Sequence, residues 1–165
     1  MAPTLNRSLA DLGALLHLVD PTLPIGGFNH SNGLETFVQQ GAVSTKPSLE
    51  EYVQTQLLQN WVYNDGAYLS LAFEAMATND FDRLCELDYS LSATKIARES
   101  REGSFKLGVR LLKIFIRYEQ HPMLSQFQQA IQNKTVQGYF PIVFAMVAQA
   151  MGLSKADTLY AFYYN

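Results

Sequence analysis

GYFPIVFAMVAQAMGL, residues 138–153, is the stretch that decides the fold of this 165-residue chain. A helix formed by this run is apolar on every side, so it needs packing neighbours all around it. The run contains Pro141 and Gln149, and it is shorter than the ~20 residues that a helix needs to cross a bilayer. We therefore predict a core helix over 139–151, the central rod of a helical bundle, and no membrane contact.

The rest of the chain follows the helical period. Apolar residues recur three and four positions apart, and no run of alternating Val, Ile or Thr indicates strands. The sequence predicts an all-α fold of about nine orthogonally packed helices joined by short turns. A chain of this length hides roughly 70% of its extended surface, so we expect a single domain over 1–165.

Helix boundaries are predicted from residues that cap or break helices. The predicted starts are at Ser8, at Ser48 with Glu51 as a capping box, at Asn64–Asp65, at Asn79–Asp80, at His121–Pro122 and at Ser154. The longest helix is expected to run from Ser92 or Thr94 to about Tyr118. On its apolar side Gly103, Ser104 and Gly108 leave room for another backbone to come close.

The first helix and the one after Ser48 are expected to bury an apolar stripe. These stripes consist of Leu9, Leu12, Leu15, Leu16 and Val19 on the first helix, and of Leu49, Tyr52, Val53, Leu57 and Trp61 on the other. Each set follows the spacing of one helix face.

Composition indicates a protein with surface to spare for binding. Hydrophobic residues make up 48% of the chain and charged residues only 16%, against about a quarter charged in ordinary domains. Some apolar surface is therefore expected at an interface. The single cysteine, Cys85, forms no internal disulfide, and the first residues lack the order of a secretory signal. Both observations favour the cytoplasm.

Basic residues concentrate in one segment. Seven of the twelve lie between Lys95 and Arg117, and we predict that Lys95, Arg98 and Arg101 contact a partner protein. A nucleic-acid-binding helical module is an alternative, but the sequence pI is near 5.5 and acids such as Glu99 interrupt the basic run. We therefore expect no nucleic acid among the partners.

The segment TLPIGGFNHSNGLETFVQQG, residues 22–41, raises the question of catalysis. A small hydrolase would use Ser31 or a water with His30 as base and Glu35 to orient it, but no oxyanion hole or nucleophile elbow is evident. Metal binding is not favoured either, because the possible ligands are scattered singly: His17, His30, Cys85 and His121. We favour a recognition surface, formed in part by Phe28, His30, Ser31, Glu35 and Phe37.

The glycines of this segment do not form a phosphate loop. No G-x-x-x-x-G-K-[ST] motif is present and no strand precedes them. Their expected role is conformational, since the pair Gly26–Gly27 permits a positive φ and so aims Phe28.

Aromatic residues crowd the last predicted helix, which ends YAFYYN at residue 165. They either pack inside or present tyrosines to a partner, for which Tyr is well suited. We predict that Tyr160 and Tyr164 bind a partner.

One motif gives a specific resemblance. DPTLPIGGFNHSNGLETF, residues 20–37, resembles the signature of the UreF-type urease accessory proteins, roughly D-x-x-[FL]-P-[IV]-G-[GS]-[FY]-x-H-S-x-G-L-E-x-[YF]. Residues 95–113 and 140–165 are similar to later segments of that family. The family usually continues with a further helix and a tail, so we expect its C-terminal part to be missing here.

The resemblance implies an all-α, non-catalytic chaperone for nickel insertion into apo-urease. Its implied partners are a UreD/UreH-type accessory protein, a UreG-type GTPase, apo-urease through the complex, and a second copy in a homodimer. No cofactor is implied, because nickel is handled by the complex. His30 would bond to backbone and Glu35 would lie near a helix N-terminus.

Overall fold

The computed structural model describes residues 8–27 and 33–164, and the structural statements below concern these residues. Within them the chain forms helices joined by turns and contains no strand, which confirms the predicted all-α class. The α-helical segments are α1 Leu9–Leu18, α2 Leu34–Gln39, α3 Lys46–Thr55, α4 Ala67–Ala77, α5 Phe81–Thr94, α6 Arg98–Phe115, α7 Pro122–Gln132, α8 Phe140–Ala150 and α9 Lys155–Tyr164. A π-helical segment, Gln56–Gly66, joins α3 to α4 in one continuous rod.

Helix α8 is the centre of the bundle. Its residues from Pro141 to Ala148 are all buried, and it packs against α4, α5, α6 and α9. The rings of Phe140 and Phe144 contact each other, and both contact the ring of Phe162 on α9. The predicted central rod is confirmed, because a helix that is apolar all around is stable only with neighbours on every side.

Asp88 on α5 fixes the chain just before α8. Its carboxylate is fully buried and accepts hydrogen bonds from the backbone N–H groups of Gln137, Gly138 and Tyr139 at 2.6, 3.0 and 2.9 Å. Burial raises the pKa of Asp88, and the three N–H donors oppose that shift by favouring the charged form. The loop that enters α8 is therefore tied to α5.

Helix α6 approaches the same loop through small residues. A Cβ built on Gly108 would collide with backbone atoms of Gly138 and Phe140. The hydroxyl of Ser104 accepts a hydrogen bond from the N–H of Phe140 at 3.3 Å. The predicted close approach is confirmed at these two positions. At Gly103 it is wrong, because nothing lies within 4 Å of a Cβ built there.

The capping box of α3 differs from the prediction. The N-cap is Thr45, whose side chain accepts a hydrogen bond from the N–H of Ser48, while the Ser48 hydroxyl accepts one from the N–H of Thr45 at 3.0 Å. The predicted box of Ser48 with Glu51 is wrong by one turn. The hydroxyl of Ser48 takes the place that a Glu or Gln side chain usually fills at the third position of a helix.

The predicted break at Asn64–Asp65 is also wrong. Both residues lie in the π-helical segment, and their side chains bond to Thr94 and Lys95, which lie beyond the end of α4 in sequence. Since these side chains have distant partners, they do not compete for the local backbone groups that a helix needs. The rod continues through them.

Helix α6 begins at Arg98 instead of Ser92 or Thr94. The hydroxyls of Ser92 and Thr94 donate back to the carbonyls of Tyr89 and Leu91, so both residues extend α5 and do not cap a new helix. Ile96 falls in the link between α5 and α6 and is 90% exposed.

Several predicted apolar stripes are not buried in the fold and are exposed to solvent. On α1, Leu15 and Leu18 are buried, but Leu9, Leu12 and Leu16 are exposed. Neither α2 nor α3 has a buried residue. In the part of the chain that the structure describes, no helix combines the length and apolar composition of a membrane span.

Candidate functional site

The signature segment is anchored to α6 by one arginine. Nη1 of Arg110 donates to the carbonyl oxygen of Ile25 at 3.0 Å, and Ile25 itself is buried. Gly26 has φ of 78°, and a Cβ there would collide with the Arg110 guanidinium. The predicted positive φ is therefore confirmed at Gly26, whereas Phe28, which it was expected to aim, lies outside the described residues.

Asp20 orders the start of the same segment. Its carboxylate accepts hydrogen bonds from the hydroxyl and the N–H of Thr22 at 2.7 and 2.8 Å. These bonds, the hydroxyl bond first, lower the pKa of Asp20 below its ordinary value. A short turn then carries the chain to Ile25.

Of the predicted recognition residues in this segment, Phe28, His30 and Ser31 lie outside the described residues. Glu35 occupies the first turn of α2, as the resemblance implied, and is exposed. The ring of Phe37 packs on the ring of Tyr52, with centroids 5.3 Å apart, and Phe37 remains 43% exposed.

A cleft of about 850 Å³ lies between the π-helical segment, the α5–α6 link and α6. Gly33 and Glu35 form one edge of this cleft, so the described end of the signature segment borders it. Its apolar lining includes Trp61, Leu107 and Phe140, all partly buried. We refer to this feature as the Trp61 cleft.

An ion pair lies in the wall of the Trp61 cleft. Nζ of Lys95 lies 2.7 and 3.1 Å from the two carboxylate oxygens of Asp65, and the side chains are 11% and 21% exposed. Beside it the Thr94 hydroxyl lies 2.9 Å from Oδ1 of Asn64 and from the carbonyl oxygen of Leu91, and its one proton is shared between these two acceptors. These bonds connect the π-helical segment to the end of α5 and to the α5–α6 link. The ammonium group of Lys95 is therefore already paired with a carboxylate in the wall of the cleft.

The other predicted basic residues lie elsewhere. Nε of Arg98 bonds to Glu102 at 2.6 Å on the exposed side of α6. Nη1 of Arg101 donates to the carbonyl of Lys95 at 2.9 Å, and Arg101 lines a second hollow of about 450 Å³ next to Asp88. The structure thus brings Glu35 and Lys95 to one cleft, and places Arg98 and Arg101 outside it.

Tyr160 and Tyr164 form a separate aromatic surface on α9. They are 63% and 71% exposed, and their rings stack with centroids 6.4 Å apart. The alternative in which the last helix hides its aromatics holds only for its other face, where Phe162 packs on α8.

The arrangement of the Trp61 cleft suits binding. Its charges are a closed ion pair and carboxylates at the edge, above an apolar lining. Among the residues that the structure describes, no group of three or more His, Cys, Asp or Glu is placed to hold a metal ion.

Sequence reasoning missed Trp61 and Asp65 as site residues. Trp61 was expected on a buried stripe, and Asp65 looked like part of a helix break. The partner of Asp65 lies 30 positions away, and no local pattern signals so distant a bond. The density of the motif at 20–37 was the one signal that pointed to this end of the molecule.

Comparison with known proteins identifies the family. The sequence profile of the UreF family matches residues 43–165. A urease accessory protein UreF from Haemophilus influenzae is 84% identical over 165 residues, all of this chain and 70% of that protein. UreF from Actinobacillus pleuropneumoniae serotype 5b is 80% identical over 157 residues, 95% of this chain and 69% of that protein.

A more distant relative agrees. UreF from Streptococcus salivarius is 32% identical over 162 residues, 97% of this chain and 68% of that protein. These relatives are named accessory proteins, which confirms the prediction that this is not an enzyme. The chain belongs to the UreF family of urease accessory proteins.

Proposed function

We propose that this chain is a scaffold for assembling the nickel centre of urease. It holds a UreD/UreH-type accessory protein and a UreG-type GTPase in one complex, which delivers nickel to apo-urease. Nickel is the cargo of that complex and not a resident cofactor of this chain. The chain works in the cytoplasm as a homodimer, and it makes or breaks no bond itself.

The observation that carries this proposal is repeated exposure of large apolar side chains on the same helix faces. Leu9 and Leu16 on α1 are 89% and 59% exposed, and Val38 on α2 is 52% exposed. Tyr160 and Tyr164 add a further surface on α9. Single exposed apolar residues are ordinary, but clustered ones mark interfaces.

Modulation of the GTPase needs no chemistry in this chain. A scaffold that binds one nucleotide state of the GTPase more tightly than the other shifts the GTPase toward that state. The change in free energy between the two nucleotide states is at most the difference between their free energies of binding to the scaffold. Such an effect fits a protein that offers exposed apolar surfaces for binding.

The test is co-purification of the tagged chain with both accessory proteins, followed by chromatography with mass determination. We expect one complex that contains all three proteins. Tyr160→Ser with Tyr164→Ser is expected to weaken it. The matched control is Tyr89→Ser with Tyr118→Ser, since these tyrosines are 79% and 71% exposed but lie apart from α9. A wild-type chain that binds neither protein contradicts the proposal.

A further inference from the structure

The Trp61 cleft has unbalanced charge at its edges. Three carboxylates line it, those of Glu35, Asp65 and Glu99, together with the ammonium group of Lys95. Asp65 already holds Lys95 at 2.7 Å, so among the described residues that line the cleft no further basic side chain is left to balance Glu35 and Glu99. Both belong to exposed residues on separate elements, α2 and α6.

The same cleft offers apolar contact. Trp61, Leu107 and Phe140 are only partly buried, and Ile96 at the edge is 90% exposed. Covering this surface is favourable because it removes apolar area from water. An occupant that matches the cleft therefore needs apolar side chains in the middle and positive charge on both sides.

The walls of the cleft are themselves helical, since the π-helical segment and α6 run along it. Grooves between helices are a common seat for an amphipathic helix from another protein, which inserts side chains spaced three and four residues apart. Complementary charges at the rim then set the orientation of the inserted helix and speed its association.

We propose that the Trp61 cleft is the docking site for an amphipathic helix of a partner protein whose apolar stripe is bordered by Lys or Arg. The partner is a member of the accessory complex, so this inference rests on the proposed function and adds to it the place and chemistry of one contact. Glu35 and Glu99 bind the basic border, and Trp61, Leu107 and Ile96 bind the apolar stripe.

Trp61 supplies a direct readout because it is the single tryptophan of the chain. The probe is a synthetic peptide of about four helical turns, some 14 residues, made of Leu, Ala and Lys with Leu every three or four positions. We expect a saturable change in Trp61 emission on titration and weaker binding at high salt. A peptide with Glu in place of Lys is expected to give no response.

Charge reversal locates the site. Glu35→Lys combined with Glu99→Lys is expected to weaken peptide binding roughly five- to tenfold, since each change removes an attraction and adds a repulsion. The control carries Glu51→Lys with Glu86→Lys, the same change of net charge at exposed positions outside the cleft lining. It is expected to bind within about twofold of wild type. Equal weakening in both variants overturns the proposal.

Co-purification separates this inference from the proposed function. If the wild-type chain and the control retain the accessory proteins while the Glu35→Lys, Glu99→Lys variant loses one of them, the docking site is supported. If all three retain them equally, the cleft assignment is wrong and the scaffold function stands. If the wild-type chain retains none, the scaffold function itself fails.

The charge-reversal variant and the peptide also distinguish two other possible occupants of the cleft. A wild-type dimer that dissociates on Glu35→Lys with Glu99→Lys, measured by sedimentation, would show that a second copy fills the cleft and would overturn the proposal. So would loss of peptide binding in the Haemophilus influenzae relative, of which this chain matches 70%, because residues of that protein outside the matched part would then fill the cleft.

Discussion

Helices α8 and α3 are nearly equal in length, 11 and 10 residues, yet eight residues of α8 are buried and none of α3. This difference in burial follows from the polarity of the residues on the faces of each helix. Helix α8 has no polar face to give to water, whereas α3 has Lys46, Glu50 and Glu51 on the surface around an apolar stripe. The comparison teaches that α8 holds the fold together, while the apolar stripe of α3 is surface that the fold does not need.

The largest expected effect comes from truncating one apolar side chain on each of the two helices and comparing the loss of stability. Phe144→Ala on α8 is expected to lower the free energy of unfolding by about 3–5 kcal/mol, because it removes a fully buried ring from a close-packed core. Val53→Ala on α3 is the comparison, with an expected loss of about 0.5 kcal/mol or less, since Val53 is 44% exposed. Urea unfolding measures both. Similar losses would show that α3 is part of the core.

A second change tests the loop that positions α8. Asp88→Ala leaves three backbone N–H groups, two of them buried, without their acceptor and is expected to cost about 2–4 kcal/mol. Asp82→Ala, at an exposed position on the same helix, is the control. Thermal unfolding compares them. Equal midpoints would mean that the carboxylate does not hold the loop.

A smaller effect concerns the wall of the Trp61 cleft. A double-mutant cycle of Lys95→Met and Asp65→Asn is expected to give a coupling free energy of about 1 kcal/mol, because the pair is well aligned but still reached by solvent. The same cycle on Lys46 and Glu50, an exposed pair at 3.6 Å, should give a coupling close to zero. Unfolding by urea supplies the free energies. The reverse order would contradict the assigned wall contact.

The smallest effect is a titration. In the folded chain the pKa of Asp20 lies below its ordinary value of 3.8 because Thr22 bonds to the carboxylate. The folded state therefore gains stability from this group above pH 3.8, and loses it as the pH falls through the lowered pKa. Thr22→Val removes the hydroxyl bond and is expected to move the pKa of Asp20 upward in an NMR titration. Thr78→Val, a remote change, should leave it in place.

Much of the fold was predictable because its causes are local. Helix α8 is predictable from its long apolar run. The side chains of Ser8, His121 and Ser154 cap helices by bonding to N–H groups two or three residues further on. These three starts are confirmed. The π-helical segment was not predictable in the same way, because it changes the hydrogen-bond offset without changing the type of residue used.

The candidate site was harder to predict because its bonds are distant in sequence. Asp65 meets Lys95 and Asp88 meets residues 137–139 across 30 and about 50 positions. No periodicity encodes such a pairing. The sequence did indicate the region through Glu35 and the motif at 20–37. The cleft itself, however, is formed mainly by the packing of the π-helical segment against α6 and the α5–α6 link, which lie outside the motif.

Hydrogen exchange of the chain, alone and with the accessory proteins added, tests most directly whether its open apolar surface serves binding. We expect slower exchange on complex formation in residues 33–66 and 94–100, and unchanged exchange in α8. A complex that forms while residues 33–66 and 94–100 exchange as in the free chain would contradict the account.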